Sequence, residues 1–204
     1  MANIRLHTND LADNVTFKGD IAIDTEAMGL NNHRDRLCVV QLSDGNGDAH
    51  IVHFPDRNYT APRLKALLTD AARTKIFHYA RFDVAILKQY LGVKVNPIYC
   101  TKIASRLART YTDSHGLKDL CRDLAGAQIS KQQQSSDWGA ETLTEEQLHY
   151  AASDVLYLHT IRERLNAMLE REGRKDLAHR CFAFLETRVE LDLAGWPDLD
   201  IFAH

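Results

Sequence analysis

The stretch Asp20-Ile21-Ala22-Ile23-Asp24-Thr25-Glu26 sets the tightest limit on how this chain can fold. Small and β-branched residues at 21 to 23 describe a short buried strand. Side chains alternate between faces of an extended chain, so Asp24 and Glu26 leave it on the same side. A fold that buries this strand therefore aims two carboxylates at one place. Clustered carboxylates repel one another unless cations neutralise them, so convergence with further acids would imply a divalent metal site.

Two other segments carry acids in suggestive settings. Asp83 follows the apolar run Ile76-Phe77-His78-Tyr79 and opens an amphipathic helix expected over 82 to 91, with Val84, Ile86, Leu87 and Leu91 as its apolar positions. The helix dipole favours an acid there in any case. Leu143-Thr144-Glu145-Glu146-Gln147 has capping-box spacing between Thr144 and Gln147, and Tyr150 and Asp154 then share one helix face. Taken singly, each feature has an ordinary structural explanation: a strand-end acid pair, a helix-start acid, a half-buried packing tyrosine. Their order and spacing together are what point to a site.

The remaining pattern describes an α/β fold. Strands are expected around 20 to 24, 37 to 42 and 49 to 54, the last two joined by a hairpin loop at Asp44-Gly45-Asn46-Gly47-Asp48. These three form a meander. A helix near 61 to 70, a strand at 75 to 79, the helix at 82 to 91 and a strand near 96 to 100 follow, with helices for most of the remainder. Beyond Asp154, residues 155 to 172 and 176 to 194 read as two helices split at Gly173. The expected architecture is a mixed five-stranded sheet flanked by helices, with a helical C-terminal extension.

The three acidic segments resemble the exonuclease motifs of the DEDD superfamily, in the subtype with a tyrosine in the last motif, and the surrounding text is similar to the ribonuclease D family. The likeness runs through Met28-Gly29-Leu30 and Arg34-Asp35-Arg36-Leu37-Cys38-Val39-Val40-Gln41-Leu42, tightens over Lys131-Gln132-Gln133-Gln134-Ser135-Ser136-Asp137-Trp138, and ends in Tyr150-Ala151-Ala152-Ser153-Asp154. Within that family, the short chain and Cys100-Thr101-Lys102-Ile103-Ala104-Ser105-Arg106 are similar to the nano-RNase C group, stand-alone enzymes that clear very short RNA. The resemblance implies a ribonuclease H-like fold. Ribonuclease D continues into helical domains thought to hold longer RNA, whereas 50 residues follow Asp154 here. One exonuclease domain over 1–204 is expected, with a core at about 18–170 and a helical tail at about 171–204.

On that resemblance the expected activity is a two-metal-dependent 3′-5′ exoribonuclease that cleaves dinucleotides and very short RNA to nucleoside 5′-monophosphates. The alternative is a ribonuclease D-like exonuclease acting on longer RNA, including tRNA 3′ ends, or on DNA. The catalytic set would be Asp24, Glu26, Asp83, Tyr150 and Asp154. The four acids would hold two Mg²⁺ or Mn²⁺ ions, which suit hard oxygen ligands. Asp24 would contact both ions, Glu26 and Asp154 the ion nearer the nucleophile, and Asp83 the second, largely through water. Tyr150 would orient the attacking water. Leu30 lies where related exonucleases place an apolar wedge between the last two bases; Met28, Phe82 and His78 are further substrate contacts, and Arg106, Arg109, Tyr111 and Lys131 are candidates to meet the 5′ phosphate of a short single strand.

Composition bounds the setting. The net charge of −3 hides a local excess: Lys88 to Lys131 holds eight basic residues against three acids, and Lys102, Arg106 and Arg109 fall on one helical face. A patch of that size suits a short phosphate chain rather than a duplex track. The cysteines at 38, 100, 121 and 181 form no Cys-x-x-Cys pair, which leads to the expectation of reduced thiols in a cytoplasm. No apolar run approaches the roughly 20 residues that span a bilayer, so no membrane partner is expected. The terminal Trp196-Pro197-Asp198-Leu199-Asp200-Ile201-Phe202 reads either as a segment buried on its own domain or as a contact with a neighbouring subunit. The resemblance implies the second, in a ring-like homo-octamer or otherwise a smaller homo-oligomer.

Overall fold

A computed structural model describes residues 3–130 and 132–203. Six strands form one mixed sheet: β1 (Asn3–Thr8), β2 (Ile21–Ala27), β3 (Leu37–Ser43), β4 (Asp48–His53), β5 (Lys75–Phe77) and β6 (Ile98–Cys100), in the order β1-β4-β3-β2-β5-β6. The meander of β2, β3 and β4 is antiparallel, while β5 and β6 run parallel to β2 and to each other. The sequence reading of five strands is corrected to six. The extra strand, β1, pairs parallel with β4 at the sheet edge, and its burial pattern is largely open to solvent, so it lacks the apolar run that marked the others.

Among the described residues, eight helical segments surround the sheet. They are α1 (Pro62–Thr69), α2 (Ala80–Leu91), α3 (Thr101–Ala108), α4 (Leu117–Leu120), a π-helical turn at Cys121–Ala125, α5 (Glu145–Leu156), α6 (Leu158–Arg171) and α7 (Lys175–Leu193). β3 is buried at every position, which requires cover on both faces of the sheet. α5 packs across β2, β3 and β4, with Cys38, Ile51, Trp138 and Ala151 forming a small core beneath it. The main core joins Ile21, Ile23, Leu42 and Phe77 of the sheet to Val84 and Leu87 of α2 and to Leu158, Ile161 and Leu165 of α6.

Local chemistry explains the boundaries that matter. α2 begins at Ala80, earlier than the expected 82, because Tyr79 turns the chain with φ 68 and ends β5 at Phe77; His78 thus stands in the bend, outside the strand. Asp83 accordingly sits within the first turn rather than at its opening. α5 starts with the expected capping box, Gln147 N donating to Thr144 Oγ1 at 3.2 Å and Thr144 N to Gln147 Oε1 at 2.9 Å. The terminal segment departs from the burial reading: Trp196, Leu199, Ile201 and Phe202 are all exposed.

Candidate active site

The sheet and two helices bring the acids together. Asp24 and Glu26 project from β2, a central strand, and Asp154 comes from α5; one carboxylate oxygen from each lies within 4.8 Å of the others. Asp83, from α2, stands outside that trio. Its Oδ1 accepts from Thr25 Oγ1 at 2.7 Å, which ties α2 to the middle of the Asp24-Thr25-Glu26 segment. Gln41, the cross-strand partner of Asp24 on β3, reaches it with Nε2 at 3.4 Å.

The electrostatics of this arrangement are unbalanced. Burial pushes Asp24 up to about 7. Glu26 rises to about 10, first through burial and then through the charges of Asp24, Asp154 and Asp83. Asp83 and Asp154 lie well above the usual carboxylate range, again through burial first and Asp24 second. The Tyr150 phenol is driven upward by burial and by Asp154, Glu26 and Asp24. No lysine or arginine contributes to any of the four carboxylate shifts. Buried carboxylates without a cationic partner are costly, and hard oxygen donors converging in this way fit a divalent cation such as Mg²⁺ or Mn²⁺.

The acids form one wall of a cleft of about 710 Å³. Met28, Leu30, His78 and Phe82, named from the sequence as candidate substrate contacts, line it, and so does Tyr150, named as the residue that orients the attacking water. Leu30 is 87% exposed and so is no core leucine. The loop carrying it is braced: Asp35 accepts from Asn31 N at 2.9 Å, and Arg36 donates to the carbonyls of Phe54 and Gly139. A Cβ at Gly139 would collide with the Met28 sulfur, so the absence of a side chain there makes room for Met28 at the cleft edge. His78 Nδ1 pairs with Thr101 Oγ1 at 2.9 Å; because that hydroxyl donates to the Phe77 carbonyl, His78 must be the donor.

The other expected contacts lie elsewhere. Arg106 faces a different cavity, and Tyr111 does not line the acid cleft. Arg109 is 3% exposed, with its guanidinium committed to Asp123 at 2.6 Å and to the Ser114 carbonyl, so the single basic face read from its spacing with Lys102 and Arg106 ends at the helix terminus. Lys131 lies outside the described residues. Conversely, Lys118, Gln134, Ser135 and Ser136 line the cleft without having been singled out as contacts, and so does Lys102, read from the sequence only as part of a basic face. Gln147 holds part of that wall, donating to Ser136 Oγ at 3.0 Å and the Asp137 carbonyl at 3.1 Å, so the capping box also shapes the cleft. Capping spacing was visible in the sequence, but its second partner was not.

The sequence model described as 3′-5′ exonuclease matches residues 6–170. Ribonuclease D of Acidiphilium cryptum is 36% identical over 166 residues, which cover 81% of this chain and 42% of that protein, so the chain spans less than half the length of that relative. Among solved structures, Brucella melitensis NrnC bound to pGG is 54% identical with a TM-score of 0.96, covering 100% of both chains. Brucella melitensis NrnC with bound Mg²⁺ is also 54% identical, with a TM-score of 0.94 and 99% of each chain covered. NrnC is nano-RNase C. No helix among the described residues is long and apolar enough to cross a membrane. With the acids of β2, α2 and α5 gathered on one cleft and the family match spanning all of them, the chain belongs to the 3′-5′ exonuclease family.

Proposed function

We propose that the chain is a metal-dependent exoribonuclease that removes nucleotides from the 3′ end of dinucleotides and very short RNA, releasing nucleoside 5′-monophosphates. The observation that carries this reading is the trio of buried Asp154 and half-buried Asp24 and Glu26, gathered without a cationic side chain to balance them. Two divalent ions bound there, Mg²⁺ or Mn²⁺, would acidify a water and stabilise the leaving 3′ oxygen. Asp24, Glu26 and Asp154 would hold them, with Asp83 completing the set from the adjacent helix.

The residues around the acids divide the remaining work. Thr25 fixes the Asp83 carboxylate by its 2.7 Å hydrogen bond, so the α2 acid enters with a defined orientation. Tyr150 keeps its proton at neutral pH, because its surroundings raise an already weak acid; it acts as a hydrogen-bond donor that orients the attacking water rather than as a base. Exposed Leu30, with Met28 and Phe82, offers an apolar edge against which the terminal bases can stack, while Lys118 places positive charge on the phosphates. The cleft volume of about 710 Å³ suits a ligand of few nucleotides. A preference for the shortest RNA draws further support from the likeness along the whole chain to an NrnC bound to pGG.

We assign the whole chain to one exonuclease domain whose exposed terminal apolar residues contact further copies of itself, up to a ring of eight. Four unpaired cysteines accord with a reducing, cytoplasmic setting. Digestion of 5′-phosphorylated ribo- and deoxyribo-oligomers of graded length, with Mg²⁺ or Mn²⁺, tests the function. Rates should peak at the dinucleotide and favour RNA; a flat length profile would leave the longer-substrate exonuclease reading in its place. Sedimentation at micromolar concentration tests the assembly, which a monomer would refute.

A further inference from the structure

A second cavity, of about 720 Å³, lies beside the acid cleft between the start of α2, α3 and α7. Tyr79 and Lys102 line both cavities, the Lys102 ammonium resting 4.1 Å above the Tyr79 ring centre, so this stacked pair forms the wall between them. The second cavity has no acidic residue in its lining. Two of its arginines are engaged by Asp192, but Arg106 and Arg180 make no ion pair or side-chain hydrogen bond among the described residues, and Lys102 has only the ring. Three like charges around one hollow repel each other; Lys102 is in fact held below the usual lysine range by burial and by Arg106. α7, which carries Arg180, also brings Leu177 and the 42% exposed ring of Phe184 to the lining. Positive charge together with an exposed aromatic ring suits a ligand with a doubly charged phosphate and a flat base.

We propose that this cavity binds a free nucleoside 5′-monophosphate, its phosphate between Lys102, Arg106 and Arg180 and its base against Phe184. Only the identity of the ligand rests on the exonuclease reading, since hydrolysis there would release such molecules. The Tyr79–Lys102 wall separates the site from the acids, so a nucleotide can occupy it while the cleft holds substrate. The same wall can pass its occupancy to the cleft, because Tyr79 begins the helix that carries Phe82 and Asp83. The activity would then be inhibited by its product without competition at the acids.

Calorimetric titration of the full chain with 5′-GMP in the presence of a chelator reads this site without catalysis. Binding at one site per chain is expected, weakened about tenfold by Arg106→Ala or Arg180→Ala, less by Phe184→Ala, and untouched by Leu30→Ala in the cleft. Arg106 and Arg180 are exposed and unpaired, so both variants should fold, which their thermal unfolding will verify. In steady-state cleavage with metal, Arg180→Ala should keep the wild-type KM at every oligomer length and lose inhibition by added 5′-GMP. A KM defect that grows with length would make the cavity a channel for the strand and overturn the free-nucleotide assignment. Wild-type 5′-GMP binding in both arginine variants, or its loss in Leu30→Ala alone, would overturn it as well. Because the titration needs no metal, failure here leaves the nuclease reading standing, and an inactive chain that still binds 5′-GMP leaves this one standing.

Discussion

Asp83 of α2 and Asp192 of α7, two helices packed together, are nearly buried carboxylates, and the protein treats them in opposite ways. Asp192 is bracketed by two guanidinium groups: Arg81 donates to both its oxygens at 2.6 and 2.8 Å, and Arg188 to one of them at 2.9 and 2.6 Å. The same arginines reach the carbonyls of Trp196, Pro197 and Leu199, so the charge is consumed in fastening the end of the chain. Asp83, two residues from Arg81, receives one hydroxyl and faces other acids. A buried charge satisfied internally holds structure; one left unsatisfied waits for something that comes from outside.

Substitution should separate the two most sharply. Asp24→Asn or Asp154→Asn is expected to lower kcat by about 10² to 10³ or more, as when one group of a preorganised electrostatic site is removed, with no loss of thermal stability. Wild-type turnover by Asp154→Asn under saturating Mn²⁺ would withdraw the ligand assignment. Tyr150→Phe should cost about tenfold to a hundredfold in kcat while metal affinity stays unchanged, because positioning is lost and charge is not. If metal binding fell too, Tyr150 would belong to the ligand set.

The pH response has a definite sign. Asp24 and Glu26 titrate higher when folded than when unfolded, at about 7 and about 10, so the stability they contribute is full below the unfolded carboxylate range near about 4 and is lost as pH rises through the folded values. Without metal the melting temperature should therefore fall as pH is raised from the acid side through neutrality. Mg²⁺ or Mn²⁺ should restore it, most at the alkaline end, and Asp24→Asn should flatten the metal-free profile. Differential scanning calorimetry over this range would find the comparison wrong if metal-free stability climbed with pH.

On the other flank, Asp192→Asn should reduce stability by about 1–3 kcal/mol, discounted for the 35% exposed Arg81 side chain, with kcat/KM for a dinucleotide nearly unchanged. Denaturant titration measures it; a loss of activity without a loss of stability would move Asp192 to the site. The smallest effect belongs to Leu30→Ala, which should leave stability within about 0.5 kcal/mol because the side chain is 87% exposed, and raise KM for short RNA. An unchanged KM would remove it as a substrate contact.

How far the sequence could be read follows from what each signal depends on. β2, the capping box and the i, i+4 relation of Tyr150 to Asp154 are local patterns of burial and spacing, and all three recur in the structure. Five strands were visible because each carries an apolar run; β1 was not, since an edge strand exposed on its open side needs none. Arg109 was misread for a related reason. Its spacing suggests an open basic face, but Asp123 arrives through a turn whose course no periodicity reveals. Gln41 could be tied to Asp24 only once the register of β2 and β3 was known. Convergence of the acids was inferable from motif order, yet their distances and their lack of cationic partners are properties of packing alone.

The central claim is that the carboxylates of β2 and α5 are left unbalanced so that divalent metal can bind them. Calorimetric titration of the purified chain with Mn²⁺ near pH 6 and again near pH 8, in buffers of different ionisation enthalpy, tests it most directly. Saturable binding is expected at both, with more protons released at the lower pH because the raised carboxylates must give them up, and with binding abolished in an Asp24→Asn, Asp154→Asn double variant. No saturable binding by the wild type, or equal binding by the double variant, would contradict it.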